Sequence, residues 1–227
     1  MFYCFVHGLF RKRSPRSQWR SFLDRIPRKI SRERNKRTKA QQGSTIPWSN
    51  NALPVERRAV YGPCVRLIVE GLQGGHSGVE IHKNRANANK VMGEFLSRVQ
   101  KLMPLCITKL SGGAKENAIP RSCEVTLVAL GMYIERINDI AAQLQREIRE
   151  QFDEPEVIVR GDDVDALGGN ALTTECTSKV IALLNSVPNG VQAWSKDIEG
   201  LVQTSLNLGI ASVERTWNFI CEILKAI

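Results

Sequence analysis

The stretch Cys64-Val-Arg-Leu-Ile-Val-Glu-Gly-Leu-Gln-Gly-Gly-His-Ser-Gly78 joins a β-rich run to a glycine-rich loop and opens a regular series of elements. Its first seven residues predict a strand, and its last eight predict a loop. Apolar residues at helical spacing then predict a helix over 86–102 and a second, more clearly amphipathic helix over 133–152. Three further strands are predicted over 105–110, 122–130 and 156–160.

The order of these elements over residues 63–161 is strand, helix, strand, strand, helix, strand. This order predicts a ferredoxin-like βαββαβ module, so the fold class is α+β. A polar, glycine-rich break is predicted over 161–170, and an amphipathic helix over 172–187 and a strand over 202–210 follow it. Because this last helix and strand do not fit inside a closed βαββαβ unit, we expect them to belong to a second layer.

The positive charge of the chain is concentrated at one end. The 227 residues carry a formal net charge of +9. Residues 1–40 hold thirteen basic and two acidic residues, net +11, which leaves 19 basic and 21 acidic residues, net −2, in the rest of the chain. Residues 1–40, here called the basic arm, could be a nucleic-acid-binding tail or an Arg- and Ser-rich transit peptide. They could also be translated sequence never selected as protein, or an exposed tail without a specific partner. The charge of the remaining residues gives no indication of nucleic-acid binding.

The six cysteines and the apolar stretches bear on where the protein works. No C-x-x-C pair and no regular cysteine spacing occur, which predicts reduced thiols in a cytoplasmic protein. The longest apolar stretches, 1–10 and 127–134, are shorter than the roughly 20 residues of a spanning helix. An apolar segment followed by basic residues is the reverse of secretory-signal order, so we expect neither secretion nor a membrane anchor.

His76 is the residue with the most suggestive surroundings among the three histidines. The chain has no H-x-D or H-E-x-x-H motif, so a self-contained metal site is not expected. Glycines flank His76, which allows close approach of a substrate and donation of a hydrogen bond to an oxyanion. The alternative is a structural turn in which His76 bonds locally. A nucleotide-binding P-loop is excluded, because His76 stands where that motif has lysine.

The segment Asn117-Ala-Ile-Pro-Arg121 offers a second set of polar groups. The amide of Asn117 and the guanidinium of Arg121 could contact a substrate carboxylate or carbonyl. The alternative is a turn in which Asn117 bonds its own backbone and Pro120 ends the loop.

Five segments, in order, resemble the aminoacyl-histidine dipeptidases, which are β-alanyl-histidine (carnosine-type) dipeptidases among the di-zinc aminopeptidase-like metallopeptidases. The resemblance covers about residues 54–213. The segments are Gly71-Leu-Gln-Gly-Gly-His-Ser-Gly-Val-Glu-Ile-His82, Asn87-Ala-Asn-Lys90, Ser111-Gly-Gly-Ala-Lys-Glu-Asn-Ala-Ile-Pro-Arg121, Leu183-Leu-Asn-Ser-Val-Pro-Asn-Gly190 and Ile198-Glu-Gly-Leu-Val-Gln-Thr-Ser-Leu-Asn-Leu-Gly209.

The resemblance implies that residues 63–161 are a lid, or dimerisation, domain inserted in a larger zinc-binding α/β domain. It implies hydrolysis of Xaa-His dipeptides with two zinc ions in the intact enzyme. His76 would stabilise the tetrahedral intermediate, in many members across a dimer, Asn117 would contact the dipeptide, and Arg121 is a further substrate-binding candidate. The expected partners are a dipeptide and, through the lid, a second copy or an intact homologous subunit. Neither a membrane nor nucleic acid is expected.

The family's zinc ligands and catalytic glutamates have no counterpart in this sequence. We therefore expect a truncated dipeptidase that binds no cofactor alone and is inactive alone; the alternatives are a non-enzymatic dimerisation module and a basic-arm nucleic-acid binder. Leu206 and Leu208 should then be exposed in a solitary chain. The expected divisions are a disordered basic leader, the lid, a partial return into the catalytic domain and a divergent tail, over residues 1–53, 54–165, 166–213 and 214–227.

Overall fold

The structure is a computed structural model and describes residues 49–129, 131–213 and 218–226. Residues 1–48 of the expected leader lie outside the described residues, and residues 49–53 belong to the first strand. The strands are β1 (Ser49–Pro54), β2 (Arg57–Glu70), β3 (Gly75–His76), β4 (Cys106–Gly112), β5 (Ala118–Ile119), β6 (Cys123–Val128), β7 (Ile158–Leu172), β8 (Gly190–Trp194), β9 (Val202–Val213) and β10 (Asn218–Ala226). The α-helices are α1 (Ala88–Gln100), α2 (Ile134–Phe152) and α3 (Thr174–Ser186).

The predicted βαββαβ module consists of β2, α1, β4, β6, α2 and β7. Its strands lie side by side in the order β4-β6-β2-β7, and each neighbouring pair is antiparallel. Counted within the module, this order is 2-3-1-4, as in a ferredoxin-like sheet. The α+β class is therefore confirmed.

One apolar core joins the three helices to the sheet. Alternate residues of β2, namely Val65, Leu67 and Val69, are fully buried in it. Phe95 of α1 and Ile137 of α2 are also fully buried and meet the same cluster. Burial of each large side chain contributes about 1.5–3 kcal/mol. The helical and strand periodicities of the sequence therefore converge on one hydrophobic core.

The glycine-rich stretch 161–170 is a strand, so the predicted break there is wrong. β7 continues through it because β2 begins at Arg57 and offers a backbone partner as far as the pair Arg57↔Leu172. The glycines serve close packing: a Cβ on Gly161 would lie 2.8 Å from Ile137 Cγ2, and one on Gly168 would lie 2.2 Å from the Val60 carbonyl oxygen.

The helix and strand that follow the module pack onto it. Strand β9 pairs with β4 through Gly112↔Ala211 and its neighbours, and β10 pairs with the other side of β9 and with β1. Helix α3 lies so close to α1 that a Cβ on Gly93 would be 2.9 Å from Leu184 Cβ. The expectation that Leu208 is exposed is wrong: it is fully buried in the common core, and Leu206 is half-buried.

Candidate functional site

The fold brings His76 and Asn117 together, although 40 residues separate them in the sequence. β3 pairs antiparallel with β5, which places His76 opposite Ala118. The backbone amide of Ser77 donates to the Asn117 carbonyl oxygen at 3.0 Å and extends the pairing. Both the His76 and the Asn117 side chains are exposed. The backbones of two residues predicted from sequence, His76 and Asn117, thus lie next to each other where β3 meets β5.

The imidazole of His76 is oriented by the backbone that follows it. Its Nδ1 accepts hydrogen bonds from the amides of Gly78, at 3.0 Å, and Val79, at 3.2 Å. In the neutral ring this arrangement puts the proton on Nε2, which is inferred from the hydrogen bonds. The local bonding predicted as an alternative is therefore present, and it leaves His76 with a donor on the opposite edge of the ring.

Glu80 holds the loop around His76 together. Its carboxylate accepts from the His76 amide at 2.9 Å and from Lys83 Nζ at 3.0 Å, and it forms an ion pair with Arg85 Nη2 at 3.1 Å. The hydrogen bond from the His76 amide, with Lys83 and Arg85, lowers the pKa of Glu80 to about 2. Arg85 also donates to the Gly74 carbonyl oxygen through Nη1. Glu80 is therefore a carboxylate at neutral pH, engaged by three donors.

A cluster of asparagine side chains contacts the backbone of strand β5. Asn207 Nδ2 donates to the Ala118 carbonyl oxygen at 2.8 Å. Asn87 Nδ2 donates to Asn189 Oδ1 at 2.9 Å and to Asn207 Oδ1 at 3.3 Å, and Asn87 Oδ1 caps the first amides of α1. These buried bonds connect strand β5 to α1 and to the segment around β9.

Arg121 lies at the base of the same glycine loop. Its Nε donates to the Leu72 carbonyl oxygen at 3.0 Å, and the Leu72 amide donates to the Arg121 carbonyl oxygen at 3.4 Å. Its side chain passes so close to Gly74 that a Cβ there would be 2.3 Å from Arg121 Cγ. Its visible contacts hold the loop, and its substrate-binding role stays a prediction.

Sequence reasoning missed Glu80, Arg85, Asn207 and the buried Glu154. Glu80 and Arg85 belong to an ordinary-looking charged segment, and Asn207 contacts strand β5 only across the fold. One local feature indicated a part of this network: Asn87 precedes a predicted helix and is a typical N-cap, and it binds Asn207.

The described residues do not form a metal centre. Among them, no group of three or more histidine, cysteine, aspartate or glutamate side chains is placed to hold a metal ion. They therefore do not fit the two zinc ions that the resemblance implies.

A cleft of about 300 Å³ lies between α1 and α2, and His76, Asn117 and Arg121 do not line it.

The state of the cysteines and the apolar length of the helices are two further properties of the described residues. The four cysteines among them, Cys64, Cys106, Cys123 and Cys176, are free thiols. Burial, and to a smaller extent the neighbouring Glu124, raise the pKa of Cys123. No helix in the described ranges is both long and apolar enough to cross a membrane.

Known proteins resemble this chain over the same region. Residues 69–158 match the family model of the M20 peptidase dimerisation domain. The cytosol non-specific dipeptidase of Escherichia coli (strain K12) is 33% identical over 172 residues, which are 74% of this chain and 35% of that protein. The crystal structure of aminoacylhistidine dipeptidase from Vibrio alginolyticus superimposes with a TM-score of 0.69 and 29% identity, over 77% of this chain and 36% of that one. The chain thus spans about a third of the length of these relatives.

Proposed function

Since residues 69–158 are a peptidase dimerisation domain of the M20 type, which bears out the resemblance drawn from the sequence, we propose that this chain supplies the lid of a metal-dependent dipeptidase. The substrates are Xaa-His dipeptides, and the chain alone does not hydrolyse them. The dipeptidase relatives support this proposal. The observation that carries it is the pairing of β3 with β5, which sets His76 beside Asn117.

His76 would act as a hydrogen-bond donor to the reacting carbonyl. Its Nδ1 is occupied by two backbone amides, so Nε2–H is the group available to a developing oxyanion. A preorganised donor of this kind contributes roughly 3–4 kcal/mol to transition-state stabilisation. Asn117, on the adjoining strand end, would bind the backbone of the dipeptide through its amide. Arg121, beside Gly74, is the third proposed substrate-binding residue.

The proposal places the metal ions and the catalytic base outside the described residues, because these contain no fitting ligand cluster. His76 would therefore serve a catalytic domain held on another polypeptide, namely an intact homologous subunit. The family match to a dimerisation domain supports such pairing. Reduced cysteines support a cytosolic location for the assembly.

A trans-restoration assay tests this function. The partner is the E. coli cytosol non-specific dipeptidase from which its own lid histidine has been removed, and the readout is kcat on β-Ala-His. We expect no turnover by the chain alone and a gain when the chain is added. The His76→Ala variant should lose about 100-fold of that gain, because the oxyanion donor is gone.

His82→Ala is the matched control, since His82 lies in the same loop, is exposed and has no assigned role. It should restore activity as well as the unmodified chain does. Turnover by the chain alone, equal effects of the two alanine variants, or failure of the two proteins to co-elute would each contradict the proposal.

A further inference from the structure

Glu154 is a fully buried carboxylate that contacts both ends of the His76 loop. It follows the end of α2 and is 0% exposed. Oε2 accepts a hydrogen bond from the Gln73 amide at 2.8 Å, and Oε1 accepts one from the Ala86 amide at 3.3 Å. Residues 74–85, which include His76 and Glu80, lie between these two points.

The carboxyl group of Glu154 is bound by backbone amides. No ion pair to a lysine, arginine or histidine of the described residues offsets its burial, and backbone amides are its hydrogen-bond donors. Burying a charge without a counter-charge is unfavourable unless hydrogen bonds compensate for lost hydration. The compensation here comes from the two amides that close the loop, which ties the presence of this charge to the loop.

The turn that carries Glu154 is itself pressed against the start of the loop. Gln73 Nε2 donates to the Asp153 carbonyl oxygen at 2.8 Å, and Asp153 has a left-handed backbone with φ of 51°. Gly71, with φ of 79°, lies so close that a Cβ there would be 2.1 Å from the Glu156 carbonyl oxygen. The turn after α2 that carries Glu154 is therefore packed directly against the start of the loop.

We propose that Glu154 is a positioning residue for His76. By holding Gln73 and Ala86 together, it keeps the loop in the one conformation in which the amides of Gly78 and Val79 bind the imidazole Nδ1. It acts at a distance, through backbone, and does not contact a substrate. The effect of Glu154 on the loop does not depend on the proposed function. Its importance for catalysis rests on the proposed function, in which His76 is the oxyanion donor.

The test is the Glu154→Gln variant of the full chain, which keeps the shape but has one acceptor oxygen in place of two. We expect the Gly78 and Val79 amides to exchange with solvent at least about tenfold faster than in the unmodified chain. The ¹⁵N shift of His76 Nδ1 should move toward that of a free imidazole. The hydrogen-exchange rates of amides in β2 and β6 should not change. A global loss of stability would instead speed exchange in these strands as well.

Glu147→Gln is the matched control, because it changes another carboxylate to an amide at the Arg98 contact between α1 and α2. It should leave the Gly78 and Val79 rates and the His76 shift unchanged. Unchanged rates in Glu154→Gln, or equal changes in both variants, would overturn the proposal. If Glu154→Gln does not fold, amide hydrogen exchange of the unmodified chain tests the proposal instead. Equally strong protection of the Gln73 and Ala86 amides from exchange supports the positioning role of Glu154, and rapid exchange of these amides overturns it.

The trans-restoration assay separates this inference from the proposed function. If the loop amides respond to Glu154→Gln but the unmodified chain restores no activity, the positioning role stands and the proposed function fails. If the unmodified chain and Glu154→Gln restore the same kcat and the loop amides do not respond, the positioning role fails and the proposed function stands. With both correct, Glu154→Gln should lower kcat with little change in KM, because His76 acts in the transition state.

Discussion

At the scale of single residues, charge and backbone geometry together shape the loop around His76. Glu80 lies where the His76 amide, Lys83 and Arg85 converge. Arg85 extends the contact to the Gly74 carbonyl oxygen. Ile81 is the buried apolar residue of this loop, and these polar contacts hold the remaining loop backbone in place.

The titration of Glu80 is the first prediction. Its pKa is depressed from 4.5 to about 2, so the carboxylate stabilises the loop fully above about pH 4.5 and loses that effect as the pH falls toward 2. A ¹³C titration of the Glu80 carboxyl group should give a midpoint near 2. Lys83→Met should raise it, because one donor is removed. A midpoint at 4.5 in the unmodified chain would refute the contact pattern.

Single residues also show what could be read from the sequence. His76 between glycines and Asn117 in its loop were recognisable as candidates, and the family resemblance supported both. Glu80 and Glu154 were not recognisable, because each binds backbone amides that only the folded loop brings within reach. A pattern search finds unusual residue types in unusual settings, and it misses common residues whose importance arises from tertiary contacts.

At the scale of elements, α3 is fastened to α1 by a lysine. Lys90 Nζ donates to the carbonyl oxygens of Leu184, Asn185 and Val187, at 2.6, 2.7 and 2.8 Å. These belong to the last turn of α3, where carbonyl groups lack helical partners and the helix dipole is negative. Asn185 Nδ2 adds a bond to the Gly93 carbonyl oxygen. The helix after the βαββαβ module is thus docked by specific polar contacts as well as by apolar packing.

Removal of this lysine is the prediction at that scale. Lys90→Met should lower the free energy of unfolding by about 1–3 kcal/mol, because a charged donor to several carbonyls is lost. Lys179→Met is the control, since Lys179 makes an exposed pair with Glu175 within α3 and its loss should destabilise the chain less. Urea unfolding of the three proteins measures both. Equal effects would show that the Lys90 contacts add nothing specific.

The elements themselves were largely predictable. Helices predicted over 86–102 and 133–152 are α1 and α2, because their apolar stripes match the helical period and face the core. The stretch 161–170 was misread because its glycines indicated a loop. Its strand depends on a partner, β2, about a hundred residues earlier, and no local pattern records that pairing.

At the scale of the whole molecule, β9 joins the module into one larger sheet. β9 lies between β4 and β10, and the buried Leu208 and Ala211 share the core of the helices. The sequence indicated the helix and strand but not their docking, because the contacts that bind them, such as Asn87 with Asn207, are long-range side-chain bonds. About two-thirds of the length of these relatives has no counterpart in the matched region.

Two large apolar side chains of the βαββαβ module are exposed near one edge of its sheet. Tyr61 on β2 and Leu167 on β7 are 84% and 76% exposed, on strands that pair with each other at the side of the sheet where β7 is the last strand. Large apolar side chains in such positions are unfavourable in water unless another surface covers them.

Self-association most directly tests whether residues 69–158 act as a dimerisation domain in this chain. Sedimentation equilibrium of the full chain at micromolar concentration should give twice the mass of 25.4 kDa. A mass of 25.4 kDa that persists throughout the micromolar range would contradict the pairing of two copies of this chain.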